Sequence, residues 1–336
     1  MKDWHKEASE EIRIVAADRL QLPAERLRHI GGFENVIYEY LMDSGSSGIL
    51  RISHSSHRSE EQLASEQHWV RYLASEGVSV CRPLLFPSGS LLERIDRGEG
   101  YFTLTLWDKA PGRKVRGGCE EWGPELFEAW GELTGSMHAL TKKYTVPAGV
   151  EPRSSADPNL YQPSPAWPKE KLDVWEKYKE TESLIQSMDR TPDIYGLCHR
   201  DLHNGNFFVD EGTITAFDFD DAGYDFFVHD IAIAVYYSSV FGNWGQPETD
   251  SQRISEFAGS MLRRFMTGYR RKHEQAPGPW ARLPLFIERR RCELCLILFD
   301  AWSRPNANDQ QRQWLESNVY AIRNGDPCME LGWIHP

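Results

Sequence analysis

No run of about 18 apolar residues occurs in this chain, so a membrane-spanning helix is not expected. The opening residues, MKDWHKEASEEIRIV, are charged and lack the apolar core of a secretory leader, which predicts a cytoplasmic protein without a membrane partner. Cysteine is sparse. The six residues Cys81, Cys119, Cys198, Cys292, Cys295 and Cys328 are scattered through 336 positions, a pattern of reduced thiols rather than of a disulfide framework. Positive charge is in deficit, with 38 Lys+Arg against 50 Asp+Glu and a net charge of −12. That disfavours nonspecific nucleic-acid binding, which needs clustered basic groups. It is compatible with a cationic substrate, although solubility alone explains such a balance, because net charge does not locate a site. No internal repeat is visible. The remaining composition, 40% hydrophobic and 26% charged, excludes a wholly disordered chain. The length suggests two domains or one large bilobal one with a sizeable core.

The first hundred residues read as strand-rich. Val36–Met42 is β-branched and aromatic, Ile49–Ile52 is a second short strand, and Asp43–Gly48 between them has turn composition. Tyr101–Trp107 is a third strand. One helix interrupts them. Ser59 and Gln62 form a capping-box signature, and Leu63, Glu66, Val70 and Leu73 share one face. Glu66 on that face either meets a cation or lies at its edge in solvent, since an unpaired buried carboxylate is costly. Beyond Pro111-Gly112 the pattern turns helical. Leu126, Trp130, Leu133, Met137 and Leu140 mark one long amphipathic helix, Ile254 to Phe265 another, and Leu294 to Phe299 an apolar third. Between them, prolines from Pro147 to Pro168 mark a loop or extended segment.

The chemistry concentrates between Gly196 and Asp221. Phe207–Val209 and Thr213–Phe217 read as strands around a turn at Asp210-Glu211-Gly212. That hairpin would bring Asp201, Asn206 and Asp218 together. Two carboxylates and an amide oxygen are hard ligands, suited to Mg²⁺ rather than Zn²⁺.

His199-Arg200-Asp201 with Asn206 five residues after the aspartate matches the kinase catalytic-loop pattern. His199-x-Asp201-Leu202-His203-x-Gly205-Asn206, followed by Phe217-Asp218-Phe219, resembles the aminoglycoside phosphotransferase/choline kinase family. The likeness extends over most of the chain. Gly31-Gly32-Phe33-Glu34-Asn35 resembles the loop that covers the phosphates, Arg51 stands where the family usually has a phosphate-binding Lys, and Glu66 matches the helix carboxylate that pairs with it. The segment Leu104–Asp108, with Thr105, Leu106 and Trp107 at its centre, resembles the hinge that holds adenine. His138 and His199 read as structural, and Asp230 as a helix cap or a tie for the catalytic loop.

The resemblance implies a bilobal α+β, protein-kinase-like fold. Residues 1–108 would form an antiparallel-sheet nucleotide-binding lobe, and residues 109–336 a mainly helical catalytic and acceptor-binding lobe. It implies transfer of the γ-phosphoryl of ATP, or of GTP, to a hydroxyl, with Asp201 aligning that hydroxyl and Asn206 and Asp218 holding Mg²⁺. Departures are visible. Arg51 is not Lys, and Asp220 follows Phe219 where protein kinases have Gly. No A-P-E segment follows, which favours a small-molecule kinase over the eukaryotic-type protein kinases; a bacterial Ser/Thr protein kinase of the same superfamily is the alternative. Asp220, Asp221 and Asp225 would draw a cationic amine such as an aminoglycoside, choline or an amino acid if they face the acceptor; otherwise they form a solvated acidic loop. Trp167, Trp175 and Trp302 are either core or acceptor-facing aromatics.

Two other classes rank lower. His199-x-Asp201-x-His203 could present zinc ligands, but no second ligand cluster appears, and His54 and His57 read as surface residues of a Ser-rich turn. A non-catalytic nucleotide-binding scaffold is disfavoured because Asp201, Asn206 and Asp218 are all present. Cys292-Glu-Leu-Cys295 reads as buried thiols rather than a redox pair. Oligomeric state has no signature in the sequence.

Overall fold

The computed structural model describes residues 10–32, 34–42, 45–98, 100–155, 161–273, 279–303 and 307–331. Phe33 and the turn residues Asp43 and Ser44 lie outside them. The chain divides into two compact units. One holds residues 1–111, 144–153 and 215–220, the other 112–143, 154–214 and 221–336.

The first unit is built on an antiparallel sheet. Its strands are β1 (Leu27–Gly31), β2 (Val36–Leu41), β3 (Ser47–His54), β4 (Pro83–Leu84), β5 (Leu92–Arg97) and β6 (Gly100–Asp108). They run in the order β1-β2-β3-β6-β4, and β5 also pairs with β6. Helix α1 (Glu10–Arg19) covers one face through Ile12, Ala16 and Ala17, which pack with Leu50, Ile52, Phe102 and Leu104. Helix α2 (Glu60–Ser75) starts at the expected capping box. Ser59 accepts from the Gln62 backbone, and the Gln62 side chain accepts from the Ser59 backbone. Its buried face carries Leu63, Glu66, Trp69, Val70 and Leu73.

The second unit is mainly helical: α3 (Pro124–Thr141), α4 (Lys169–Gln186), α5 (Phe227–Tyr237), α6 (Ser251–Tyr269), α7 (Leu283–Trp302) and α8 (Asp309–Asn324). Strand β7 (Tyr195–Cys198) pairs antiparallel with β10 (Gly223–Phe226), and β8 (Phe207–Asp210) forms a hairpin with β9 (Thr213–Ala216). Glu211 and Gly212 both have positive φ, 47° and 81°, the geometry of the tight two-residue turn that matches strand twist. The turn composition at 210–212 therefore carried correct register information. The proline-rich stretch forms no regular element among its described residues.

Helices α3 and α6 meet along a glycine seam. A Cβ at Gly131 would lie 1.8 Å from the Phe265 carbonyl oxygen, and one at Gly268 would lie 1.8 Å from that of Glu128. Close backbone approach, rather than side-chain interdigitation, sets this contact. Gly131→Ala should force the helices apart and cost about 3 kcal/mol, at the upper end of overpacking penalties. A urea midpoint unchanged from wild type would show that the seam yields freely.

Candidate active site

The catalytic loop leaves β7 at His199 and enters β8 after Asn206. Arg200 sits at φ 69°, a left-handed conformation that a long side chain adopts only when its surroundings impose it. Asp230, in the first turn of α5, imposes it. Its carboxylate accepts from the backbone amides of His199 at 2.9 Å and Arg200 at 2.7 Å, and from His138 Nε2 at 3.0 Å. Burial opposes the Asp230 charge, but the His138 hydrogen bond helps hold its carboxyl below the usual range. His138 in turn meets the Tyr269 hydroxyl at 2.8 Å and stacks on Phe227, so it is structural.

Asp201 follows on this loop with its side chain 21% exposed, reachable by a small molecule. Arg290 Nη2, from α7, donates to its Oδ1 at 2.7 Å, and Asn206 Nδ2 donates to its Oδ2 at 3.2 Å. The same Asn206 nitrogen also donates to the Asp201 carbonyl at 2.9 Å. Both Asn206 donor contacts point toward Asp201, which turns the amide oxygen the other way. His203 stacks on Tyr237, with ring centroids 4.4 Å apart, and its Nδ1 accepts from the Gly205 amide at 2.8 Å. Burial, together with the charges of Arg290 and Lys114, depresses the His203 pKa to about 3, so its ring is neutral at physiological pH.

In the first unit, Arg51 on β3 makes a bidentate pair with Glu66 on α2, at 2.9 and 2.5 Å. The carboxylate on the apolar helix face thus has its cation. Burial penalises the Arg51 charge, yet Glu66, Asp220 and Asp218 together raise its pKa above the ordinary value. Its Nε is buried without a hydrogen-bond partner among the described residues. Asp218 stands at φ 63°, beside Phe219, which packs edge-on against Trp69. Gly31 and Gly32 have φ of 129° and 126°, and a Cβ at Gly32 would collide with the Asn35 carbonyl, so only glycine closes this turn. Asn35 Oδ1 accepts from Ser53 Oγ at 2.6 Å, tying the turn to β3.

Several expectations need correction. Thr105, Leu106 and Trp107 cannot offer a free backbone edge to adenine. They pair with Arg51, Leu50 and Ile49 of β3 on one side, and with Leu92, Leu84 and Pro83 on the other. Trp107 instead places its ring 5.0 Å from the Arg51 guanidinium. Asp220 is buried, with Oδ2 2.6 Å from His57 Nε2 and 3.5 Å from Arg58; burial opposes its charge, while His57, Arg51 and Arg58 hold its carboxyl far below normal. His57 is therefore not a free surface residue, and His54 packs on Phe102. Asp225 is buried too, against Arg289 at 2.8 Å. Of the three acidic residues, Asp221 alone is exposed. Trp167 covers the Lys171 ammonium, and the Trp175 indole donates to the Tyr161 carbonyl.

The sequence reading missed Arg290 and Arg153. Arg153 donates to the main-chain oxygens of Gln62 and Asp220 at 2.8 and 2.6 Å. No motif marks it. For Arg290 a signal existed: three consecutive arginines, Arg289-Arg290-Arg291, stand between the apolar stretches Leu283–Ile287 and Leu294–Phe299 of one helix.

A backbone-tied aspartate with an adjacent asparagine in the second unit, and a buried Arg–Glu pair and a glycine turn in the first, are each groups of the kind that phosphoryl-transfer enzymes use. Residues 26–275 match the phosphotransferase enzyme family, APH, and the chain belongs to that family. It is a kinase that uses ATP on small molecules. It is similar to amicoumacin kinase of Bacillus subtilis, 33% identical over 97% of each chain. A solved amicoumacin kinase in complex with AMP-PNP, Ca²⁺ and Ami superposes with a TM-score of 0.87 at 31% identity, covering 99% of this chain and 98% of that one. A microcompartment-associated aminopropanol kinase shares the fold, with a TM-score of 0.73 at 21% identity over 94% and 95% of the two chains. The kinase-like α+β fold expected from the catalytic motif is the one observed. Among the described residues, no helix is long and apolar enough to cross a membrane.

Breaking the buried pair on one side should be severe. Glu66→Ala leaves Arg51 buried and uncompensated and should cost about 3–5 kcal/mol in chemical denaturation. A loss below about 1 kcal/mol would mean that the guanidinium finds water instead.

Proposed function

We propose that this kinase transfers the γ-phosphoryl of ATP to a hydroxyl of an amicoumacin-type antibiotic, in the cytoplasm where ATP is supplied. The observation that carries this reading is the end-to-end similarity to amicoumacin kinase combined with an Asp201 that is accessible and held on both oxygens. Asp201 receives the acceptor hydroxyl and aligns its oxygen for attack on the γ-phosphorus. An aspartate is an intrinsically poor base for an alcohol, so alignment is its main contribution, and it takes the hydroxyl proton late, as the new O–P bond forms and the bond to ADP breaks. Arg290 positions Asp201 without touching the reacting atoms.

Magnesium fits the residues present. The outward Asn206 oxygen and the Asp218 carboxylate are hard donors, and the orphaned Arg51 Nε is a donor suited to a phosphate oxygen. When bound, Mg²⁺ supplies charge neutralisation to the triphosphate. Arg51 holds phosphate oxygens with Glu66 fixing its plane, and the Gly31-Gly32 turn lets backbone amides approach them. Selection of a cationic acceptor by Asp220 and Asp225 is set aside, because both spend their charge on arginines and histidine inside the fold.

The purified protein should phosphorylate amicoumacin in an ATP- and Mg²⁺-dependent assay read by product mass, and should leave a generic protein substrate unmodified. Asp201→Asn should lower kcat by about 10²–10⁴ while ATP affinity stays within about twofold. Asp218→Asn should abolish metal-dependent turnover. Wild-type activity in either variant contradicts these roles.

A further inference from the structure

Helix α5 does not stop at Tyr237 but continues as a π-helical turn, Ser238–Gly242. Such turns are rare and recur at functional sites, because the widened backbone re-aims side chains. Here Tyr237 and Phe241 form one wall of a cavity of about 380 Å³, within the size range of small-molecule sites. Leu298 and Trp302 of α7 face them. The Trp302 ring is fixed by Trp314 at 5.2 Å, Trp314 by Phe241 at 5.5 Å, and Phe241 by Tyr237 at 5.7 Å. This aromatic frame continues through Tyr237 to His203 of the catalytic loop.

The cavity joins the reaction centre through two hydrogen bonds. Arg290 Nη2 donates to the Tyr237 hydroxyl at 2.6 Å and to Asp201 Oδ1 at 2.7 Å. Among the described residues its lining contains no carboxylate, ammonium or guanidinium. The Arg290 guanidinium lies 5.2 Å from the Tyr237 ring centroid and already holds the nearby carboxylates of Asp201 and Glu293, so neither is left over to receive a cation at this end. At the rim, the Gln310 amide donates to Gln246, leaving the Gln246 nitrogen and the Gln310 oxygen for other partners.

We propose that this cavity is the recognition subsite for the part of the acceptor that is not phosphorylated, and that it takes an uncharged planar aromatic group carrying amide or hydroxyl substituents. Aromatic walls supply contact area with little ordering cost, and the rim amides supply one donor and one acceptor. The inference rests on the kinase reading above and adds the acceptor's chemical class.

The test uses N-(2-hydroxyethyl)benzamide as a neutral probe and choline as a cationic one, titrated calorimetrically into the whole protein. The benzamide should bind and choline should bind at least about tenfold more weakly, a difference of about 1.4 kcal/mol. Leu298→Trp, which fills the half-buried wall, should weaken benzamide binding by about tenfold while ATP binding and the melting temperature hold. Trp302→Ala removes the opposite wall and should weaken it similarly. With amicoumacin as acceptor, Leu298→Trp should raise the acceptor KM and leave the ATP KM unchanged. Equal benzamide affinity in wild type and both variants, no benzamide binding at all, or choline binding as tightly, overturns the proposal. If amicoumacin is not phosphorylated while benzamide binding remains sensitive to Leu298→Trp, the antibiotic assignment fails and the cavity assignment stands.

Discussion

One buried carboxylate organises the loop between β7 and β8. Asp230 gathers two consecutive backbone amides of the catalytic loop and the imidazole of His138, and so stabilises the left-handed turn at Arg200. That turn sets the direction in which Asp201 leaves the backbone. Without the tie, an arginine at positive φ would relax toward the right-handed region, and the carboxylate would swing with it. The β7–β10 pair anchors the same end of the loop, because the loop leaves β7 at Cys198, opposite Gly223, and Asp230 sits just beyond β10. The direction of Asp201 therefore comes from hydrogen bonds made by the two residues before it.

A second constraint recurs: every guanidinium deep in the fold has an anionic or carbonyl partner. Arg51 has Glu66, Arg289 has Asp225 and Glu182, Arg290 has Asp201 and Glu293, and Arg291 has the Asp326 carbonyl. Desolvation of each charge is offset by a charge-assisted bond. The cost is that carboxylates drawn into these pairs are withdrawn from substrate recognition. Asp225 illustrates it: an acidic residue a few positions past Asp218 looks acceptor-facing until Arg289 claims it. The aromatic cavity beside Tyr237 is a surface that keeps no such charge among its described residues.

How much could be read in advance depended on the range of the interaction. The strands and the long helices followed from side-chain periodicity. The capping box at Ser59 and the turn at 210–212 followed from local backbone chemistry. Asp201, Asn206 and Asp218 stood out because their spacing is short. Glu66 was legible as a problem, a charge on an apolar stripe, before its partner was known. Thr105 to Trp107 were misjudged because a strand's hydrogen-bonding edges depend on which strands flank it, and β4 and β5 occupy the second edge of β6. His57 was misjudged because its partner Asp220 is 163 positions away.

The linear order of residues by itself determined the strands, the long helices, the capping box and the 210–212 turn, which rest on contacts among near neighbours in the chain, and its catalytic-loop motif carried the family resemblance that implied the α+β class. Only tertiary structure decided which acidic groups keep their charge available, which arginine positions Asp201, and that a π turn after Tyr237 opens a cavity. Those outcomes depend on pairing between distant segments. Burial and pairing belong to the folded environment, and no local pattern encodes them.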